Sequence, residues 1–591
     1  MVIEILALQL RENPNIIGFT IGGEKIVSTH YMDDATITIT QNRCFKEVIK
    51  ELREYEEASG AKINYGKTKG LWTGSWKGRR NSPMEIKWTS KNVKNLGIYF
   101  GNDQPDKATF NDIIPKITRR LNFWKQFHLS KIGKARVAEI FLVSRLIYAI
   151  KFYVIPLESL NQLQKDIFRF INFRNKVITV AQKEMWKLKE QGGIKLVNIQ
   201  VKSEISKVKW MVEITSNTEL KIHLQVFKTL LRMQKGNISG KDIIFLSDHF
   251  MKYHLRTDNK FYKEALLGIS KFNTLKGIKN ITKWDEEHIF YNKILVAKTS
   301  EKPLPLSTYC ERHNIFILQQ LLEENSKKLR QQPYDKALTK IFENITFHTG
   351  VRQEDILILF NDKEVSFNHV THKMLYEELI TRNHSKDHHS QSKWCIKLNS
   401  AIPWEDVWES VHNFLSLNDV KSAIWEQIHL NFYTRYTCNK WHKNNENCTL
   451  CNTLPQDIYH IIFYCDAVNE LWEDITPTLL KLHPSAVSDE EKVFGIIVKN
   501  KSPGVLLRNW ITYLFRFCIT QFDRGSHSFS HDIRNKIKMK MMHEIEERVQ
   551  LKYFQFANEN KLEKFQKIFC HADVLCTINE EEEYKINVIF T

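Results

Sequence analysis

The sequence lacks a long uninterrupted apolar run. Its most apolar stretch, Phe141 to Leu157, contains Arg145 and Lys151 and falls short of the roughly 20 residues that a membrane-spanning helix needs. The first ten residues are also apolar, but Glu4 interrupts them and no basic segment precedes them. They therefore predict a buried helix rather than a signal peptide, and we expect no membrane segment.

Cysteine is scarce, since ten residues among 591 are too few for a disulfide scaffold. Four of the ten lie between Cys438 and Cys465, with histidine among them. This clustering favours a metal site over disulfide bridges. It also predicts a reducing, intracellular compartment, the nucleus or the cytoplasm.

Acidic residues are outnumbered, because 86 Lys and Arg face 68 Asp and Glu and leave a formal charge of +18 at pH 7. Such an excess favours a polyanionic partner, since each phosphate that is neutralised releases a condensed counterion. Many basic proteins bind no nucleic acid, so composition alone is a weak indication. The length predicts three or four domains.

Two adjacent carboxylates lie in the turn of a predicted β-hairpin, Lys25 to Thr40, whose turn is Tyr31-Met32-Asp33-Asp34. A tight turn lets Asp33 project toward a cleft while Asp34 lies beside it. Nucleotidyl transfer needs two divalent cations roughly 3.5 to 4 Å apart, and carboxylates are suitable ligands for them. A bare Asp-Asp pair is more often a solvated surface turn, and the dipeptide by itself favours that alternative.

The residues around this turn resemble, in order and spacing, the reverse transcriptase of non-LTR (LINE-class) retrotransposons. A helix predicted from Phe45 to Tyr55 ends at Ser59-Gly60, and the next palm motif of the family is similar to the segment that follows. The family's primer-grip hairpin and thumb are similar to later segments. The matching blocks are Tyr31-Met32-Asp33-Asp34, Ser59 to Thr68, Leu96 to Gly101, and a thumb-like series from Trp124 through Gly133-Lys134 to Gly192-Gly193-Ile194-Lys195-Leu196.

The resemblance implies an RNA-directed DNA polymerase that copies an RNA template onto a DNA primer or target with Mg²⁺. It implies that Asp33 and Asp34 bind Mg²⁺ and that Lys67 lies near the incoming triphosphate. Met32 replaces the alanine usual in LINE elements. The residues expected to contact nucleic acid or primer are Tyr31, Lys62, Arg79, Arg80 and Lys134.

The family completes its metal site with a further aspartate on an earlier palm strand, whereas only about 30 residues precede Tyr31 here. We expect the fingers and that aspartate to be missing. Two adjacent carboxylates cannot hold two cations in the required geometry, so we expect this chain alone to have little or no polymerase activity.

A second motif, Cys448-x2-Cys451-x8-His460-x4-Cys465, has the spacing of one tetrahedral zinc site. The alternative is a set of unrelated buried cysteines. Because all four coordination positions would be filled by protein ligands, the zinc would be structural and would organise a small fold. The motif also resembles the zinc-binding region that follows the thumb in the same family, where Lys, Arg and aromatic side chains meet phosphates and unstacked bases.

These observations predict an α+β chain that is mostly α, with a partial polymerase palm, a helical thumb bundle, a helical connector and a small zinc module. The predicted segments are residues 1–108, 109–215, 216–430, 431–480 and 481–591. The leading functional hypothesis is a LINE-class reverse transcriptase fragment. The alternatives are a non-enzymatic RNA- or DNA-binding remnant of a retroelement and an expressed product without a selected role. The sequence does not indicate the oligomeric state.

Overall fold

The computed structural model describes two compact units, each assembled from separate stretches of the chain. The first unit comprises Met1–Lys116, Arg145–Leu160 and Ile199–Glu378, and the second comprises Ile117–Ser144, Asn161–Asn198 and Leu379–Thr591. The described residues are 2–21, 24–172, 180–216, 223, 226, 232–233, 255–256, 259–270, 290, 295–297, 312, 345–347, 357–360, 363–366, 369–383, 388–412, 415–432, 434–437, 446–498, 501–523, 533–578, 584–587 and 589–590.

Helices dominate the described residues, which confirms the prediction of a mostly helical α+β chain. The division into five segments stays a prediction. The α-helices are α1 (Val2–Glu12), α2 (Cys44–Ser59), α3 (Pro105–Trp124), α4 (Lys131–Val137), α5 (Ser144–Ile150), α6 (Leu157–Ile171), α7 (Gln182–Trp186), α8 (Ile199–Ser216), α9 (Lys260–Ser270), α10 (His372–Asn383), α11 (His389–Leu398), α12 (Trp404–Val411), α13 (Asn418–Ile428), α14 (Asp466–Leu482), α15 (Asp489–Phe494), α16 (Pro503–Asp523), α17 (Ile533–Asn558) and α18 (Leu562–Phe569).

The strands form small two-stranded sheets that are antiparallel except for β5 with β6. Among the described residues, each sheet joins two strands that are consecutive in the chain, including β11 and β12, which are distant in sequence. The strands are β1 (Phe19–Ile21), β2 (Glu24–Ile26), β3 (Ser28–Tyr31), β4 (Asp34–Ile37), β5 (Lys69–Leu71), β6 (Lys87–Thr89), β7 (Asn92–Asn95), β8 (Ile98–Gly101), β9 (Arg232–Met233), β10 (Leu255–Arg256), β11 (Leu295–Ala297), β12 (Ile345–Phe347), β13 (Leu357–Phe360), β14 (Lys363–Ser366), β15 (Cys576–Ile578) and β16 (Tyr584–Ile586).

A small apolar core in the first unit supports the acidic hairpin. Helices α1 and α2 bury Leu6, Leu10 and Val48 against Val27, and Ile37 of β4 packs on the same cluster. The predicted N-terminal helix and hairpin are therefore confirmed. The end of α2 is also confirmed, because Gly60 adopts a left-handed conformation (φ 71°) that closes the helix after Ser59.

The second unit explains the Gly192-Gly193 motif by close packing. Gly192 has φ 82°, and a Cβ atom there would lie 2.6 Å from the Trp408 ring. Its carbonyl oxygen accepts hydrogen bonds from Trp425 Nε1 (2.7 Å) and His429 Nε2 (2.8 Å). Trp408 on α12, Trp425 on α13 and His429, which follows α13, therefore surround a backbone position that only glycine occupies without strain.

The segment predicted as a helical connector, residues 216–430, contains strands as well as helices. Its described residues include three strand pairs, β9 with β10, β11 with β12, and β13 with β14. The run Leu357–Phe360 is short and apolar, and its sequence is followed by Asn361-Asp362, a turn signal that the helical interpretation overlooked. None of the described helices is both long and apolar enough to cross a membrane.

Candidate polymerase hairpin and metal centre

The acidic turn lies at the exposed tip of a two-residue β-hairpin. Tyr31 pairs with Asp34, so Met32 and Asp33 form the loop between β3 and β4. Met32 has φ 55°, a left-handed conformation that costs a non-glycine residue about 1 kcal/mol. Asp33 and Asp34 are exposed, and so is Tyr31, at 59%. Both carboxylates are therefore accessible to cations and to large ligands.

The block predicted as a primer grip lies against this hairpin. Strands β7 and β8 form a hairpin whose turn is Leu96-Gly97, both with positive φ. At its end Asn95 Nδ2 donates a hydrogen bond of 2.9 Å to Thr36 Oγ1 on β4. Thr36 is two residues beyond Asp34, so two blocks that are separated by some 60 residues in sequence meet close to the acidic tip.

The segment carrying Lys62 and Lys67 is tied to the end of α2. Glu56 accepts a hydrogen bond from the Ile63 backbone N–H (2.5 Å), and the Asn64 side chain accepts one from the Lys67 N–H (3.0 Å). Both lysine side chains are exposed, as is Arg80. Within the described part of the chain, no hydrogen bond or ion pair joins Lys67 to Asp33 or Asp34.

Two other basic residues that were predicted to contact nucleic acid form contacts within the protein. Arg79 stacks over the Trp76 ring, 3.9 Å from its centroid, and donates a hydrogen bond to Asn42 Oδ1 (2.6 Å). Lys134 is 7% exposed, and its Nζ donates to the Ile171 carbonyl (3.4 Å). Lys134 therefore presents no charge to solvent in this structure, whereas Arg79 keeps part of its surface accessible.

The hairpin alone does not fit the magnesium pair that nucleotidyl transfer uses. Among the described residues, no third His, Cys, Asp or Glu joins Asp33 and Asp34 in a group compact enough to hold a metal ion. Two monodentate or bidentate carboxylates leave most positions of two octahedral cations to water or to other ligands. No reaction step through Mg²⁺ follows from these residues.

The four predicted zinc ligands converge in the second unit. Their donor atoms, on Cys448, Cys451, His460 and Cys465, all lie within 4.8 Å of one another. Cys448 Sγ and Cys465 Sγ are 3.9 Å apart, close to the ~3.8 Å expected for two sulfurs on one tetrahedral zinc. Cys451 Sγ lies 3.2 Å from His460 Nε2. The donor set and its spacing fit one zinc ion with all four positions filled by protein.

The surroundings of Cys448 favour the charged form of its thiol, which binds metal. The Leu450 backbone N–H (3.4 Å) and Gln456 Nε2 (3.6 Å) donate hydrogen bonds to Cys448 Sγ. The adjacent Cys465 thiol lowers the pKa of Cys448 to about 5 against the effect of burial, and the pKa of Cys465 is raised in return. Cys448 and Cys465 are fully buried, so the site is closed to solvent on that side.

A turn and a π-helical segment bring these ligands together. Cys448 and Cys451 flank a tight turn in which the Asn452 N–H donates to the Cys448 carbonyl (2.8 Å) and Asn452 has φ 58°. Residues His460–Tyr464 form one π-helical turn, closed by the Cys465 N–H donating to the His460 carbonyl (2.8 Å). In an α-helix two residues five apart point about 140° from each other. The wider π turn instead lets both side chains face one ion.

Beside this centre lies an exposed aromatic residue that the sequence analysis did not identify. Tyr464 is 51% exposed, and Lys397 Nζ donates a hydrogen bond to its hydroxyl (2.5 Å). The same ammonium lies 4.7 Å from the centroid of the Tyr464 ring. The two residues are 67 positions apart, so no local pattern indicates the pair. Cys438, the first residue of the cysteine cluster, lies outside the described residues.

Comparison with known proteins finds a transposon protein. The chain is 31% identical over 153 residues to the "Transposon TX1 uncharacterized 149 kDa protein" of Xenopus laevis. The similarity covers 25% of this chain and 12% of that protein. No family model matches the chain.

Proposed function

We propose that the chain is a retrotransposon-derived fragment of a LINE-class reverse transcriptase, that is, of an RNA-directed DNA polymerase. Its acidic hairpin would be part of the polymerase centre, and its Cys3His group would be a structural zinc module. The observation that carries this proposal is the exposed Asp33-Asp34 tip supported by the β7–β8 hairpin through Asn95 and Thr36. The similarity to a transposon protein supports the same origin.

In this proposal β1 to β8 with α1 and α2 belong to the palm, and helices α3 to α8 belong to the thumb. The residues that would contact primer, template or triphosphate are Tyr31, Lys62, Lys67, Arg79 and Arg80. The exposure of Lys62, Lys67 and Arg80 fits contact with phosphate. Lys134 fits a structural role better, since its ammonium is buried.

The zinc module would bind unpaired nucleic acid through Tyr464. A half-exposed ring beside a lysine offers one surface for base stacking and one charge for the adjacent phosphate. We expect Tyr464→Ala to weaken binding to single-stranded RNA by about 1–3 kcal/mol, measured by fluorescence anisotropy. Tyr464→Phe keeps the ring and should retain most of the affinity, so equal losses in both variants would contradict stacking.

Binding to a labelled RNA–DNA hybrid tests the hairpin surface separately. We expect affinity to fall as salt rises, and each of Lys62→Gln and Lys67→Gln to reduce the slope of log K against log salt by about 1. Lys50→Gln, an exposed position on α2 that pairs with Glu54 (3.8 Å), is the matched control and should leave the slope unchanged. If neither Lys62→Gln nor Lys67→Gln changes the slope, these two lysines do not contact the nucleic acid.

Primer extension on an RNA template tests the enzymatic part. We expect little or no extension by this chain, because its described residues supply only the two adjacent carboxylates. A contrary result would be extension several times above background that is lost in Asp33→Asn and kept in Asp103→Asn. The hairpin would then suffice for polymerisation, and our conclusion that its metal site is incomplete would be wrong. Extension that survives Asp33→Asn would overturn the assignment of the hairpin.

A second candidate is a nucleic-acid-binding protein without polymerase activity. The absence of a third metal donor beside Asp33 and Asp34 among the described residues favours it. Both candidates predict salt-sensitive binding. Placement of a primer terminus at the acidic tip separates them, because only the polymerase proposal requires it.

A further inference from the structure

A second pair of cysteines, remote from the Cys3His motif in sequence, lies at the end of the second unit. Cys570 Sγ and Cys576 Sγ are 3.4 Å apart, although six positions separate the residues. Cys576 is fully buried, and its thiol donates a hydrogen bond to the Phe569 carbonyl (3.3 Å). Cys570 is only partly buried. In the described part of the chain, no metal-binding group of three or more donors includes either thiol.

The backbone between the two thiols is held in a strained turn. Ala572 (φ 55°) and Asp573 (φ 51°) both adopt the left-handed conformation, which costs non-glycine residues about 1 kcal/mol or more each. Contacts on either side fix this turn. Asn587 Nδ2 donates to the Asp573 carbonyl (2.7 Å), the Asn587 N–H donates to the Leu575 carbonyl (2.8 Å), and Leu575 is fully buried.

We propose that Cys570 and Cys576 form a reversible thiol–disulfide site, which closes when the chain meets a small disulfide such as oxidised glutathione. The folded chain already holds the two sulfurs close together, so each thiol can react with the other at a high effective concentration. Bond formation requires the sulfurs to approach by about 1.4 Å, from the observed 3.4 Å to the usual 2.05 Å.

The burial of the two thiols sets the order of the steps. The accessible Cys570 thiolate attacks one sulfur of glutathione disulfide and expels one glutathione thiolate. The Cys576 thiol then loses its proton and attacks Cys570 Sγ, which expels the second glutathione. Two protein thiols and one glutathione disulfide thus yield one intrachain disulfide and two glutathione thiols. The adjacent Cys576 thiol lowers the pKa of Cys570, in keeping with the role of Cys570 as the first nucleophile.

Mass spectrometry of one tryptic peptide tests this proposal on the full, zinc-loaded chain. Cleavage after Lys567 and Lys585 releases Ile568–Lys585, which contains both cysteines and no other. After equilibration with reduced and oxidised glutathione and trapping of free thiols, we expect this peptide to be two hydrogens lighter. Cys576→Ser should instead accumulate a stable glutathione adduct on Cys570, and Cys570→Ser should leave Cys576 reduced.

Cys395 provides an internal control, since it is also partly buried, has no thiol neighbour among the described residues and lies in a separate peptide. It should form only the mixed disulfide. Repeating the equilibration in concentrated urea should lower the ratio of closed to open Cys570–Cys576 roughly tenfold, because the preorganised turn is lost. A wild-type peptide that stays reduced while Cys395 reacts, that stops at the mixed disulfide, or that closes equally well in urea would overturn the proposal.

Discussion

The packing of Gly192 against Trp408 makes a quantitative prediction for Gly192→Ala. The added Cβ atom would lie 2.6 Å from the Trp408 ring, at a backbone position with φ 82°. The left-handed conformation costs alanine about 1–2 kcal/mol, and overpacking of a tight core costs about 1–3 kcal/mol more. We therefore expect the free energy of unfolding to fall by about 2–5 kcal/mol.

Gly60→Ala is the matched control for this prediction. Gly60 has a similar φ of 71°, but nothing lies within 4 Å of the position of its added Cβ atom. Only the conformational cost applies, and it is partly offset by the lower entropy of the unfolded chain, which leaves a loss of about 1 kcal/mol. Urea unfolding measures both losses, and hydrogen exchange assigns the Gly192 effect to α12 and α13. Equal losses in the two variants would refute the packing argument.

Three further predictions concern the second unit. Burial lowers the pKa of His429 to about 3, so the unfolded chain gains a proton below about pH 6.5 that the folded chain does not bind at this residue. His429 should therefore contribute about 2 kcal/mol to the loss of stability between pH 7 and pH 5, and His429→Gln should reduce that loss by about this amount. Arg508 and Glu491 form a buried bidentate ion pair (2.6 and 2.7 Å), so Arg508→Leu should cost about 3–5 kcal/mol in urea unfolding, and Glu491→Leu in addition should restore part of it. Purified protein made with zinc should contain one zinc per chain by elemental analysis, and less than one zinc per two chains would contradict the closed site.

Local patterns in the sequence predicted the elements that carry the candidate sites. The alternation around Tyr31 to Thr40 predicts the hairpin, and the spacing from Phe45 to Tyr55 with Gly60 predicts α2 and its end, because both depend on backbone periodicity and on a residue suited to positive φ. The spacing of Cys448, Cys451, His460 and Cys465 predicts a group that the structure brings together.

Contacts between distant segments were not predictable in this way. The Tyr464–Lys397 pair joins residues 67 positions apart, and the carbonyl of Gly192 meets Trp425 across more than 230 positions. The burial of Lys134 follows from the packing of its helix and not from its own residue type, which by itself suggests a solvated charge. The π turn at His460 could not be predicted from the sequence either, because apolar residues between two ligands are equally compatible with an α-helix.

Photocrosslinking from the primer terminus is the most direct test of the polymerase hairpin. An RNA–DNA hybrid with a photoreactive nucleotide at the primer 3′ end is bound to the chain, irradiated and digested with trypsin. We expect the label on the peptide Ile26–Arg43, which contains Tyr31, Asp33 and Asp34. A label spread over peptides of the second unit, with none on Ile26–Arg43, would contradict the assignment of the acidic tip to a polymerase centre.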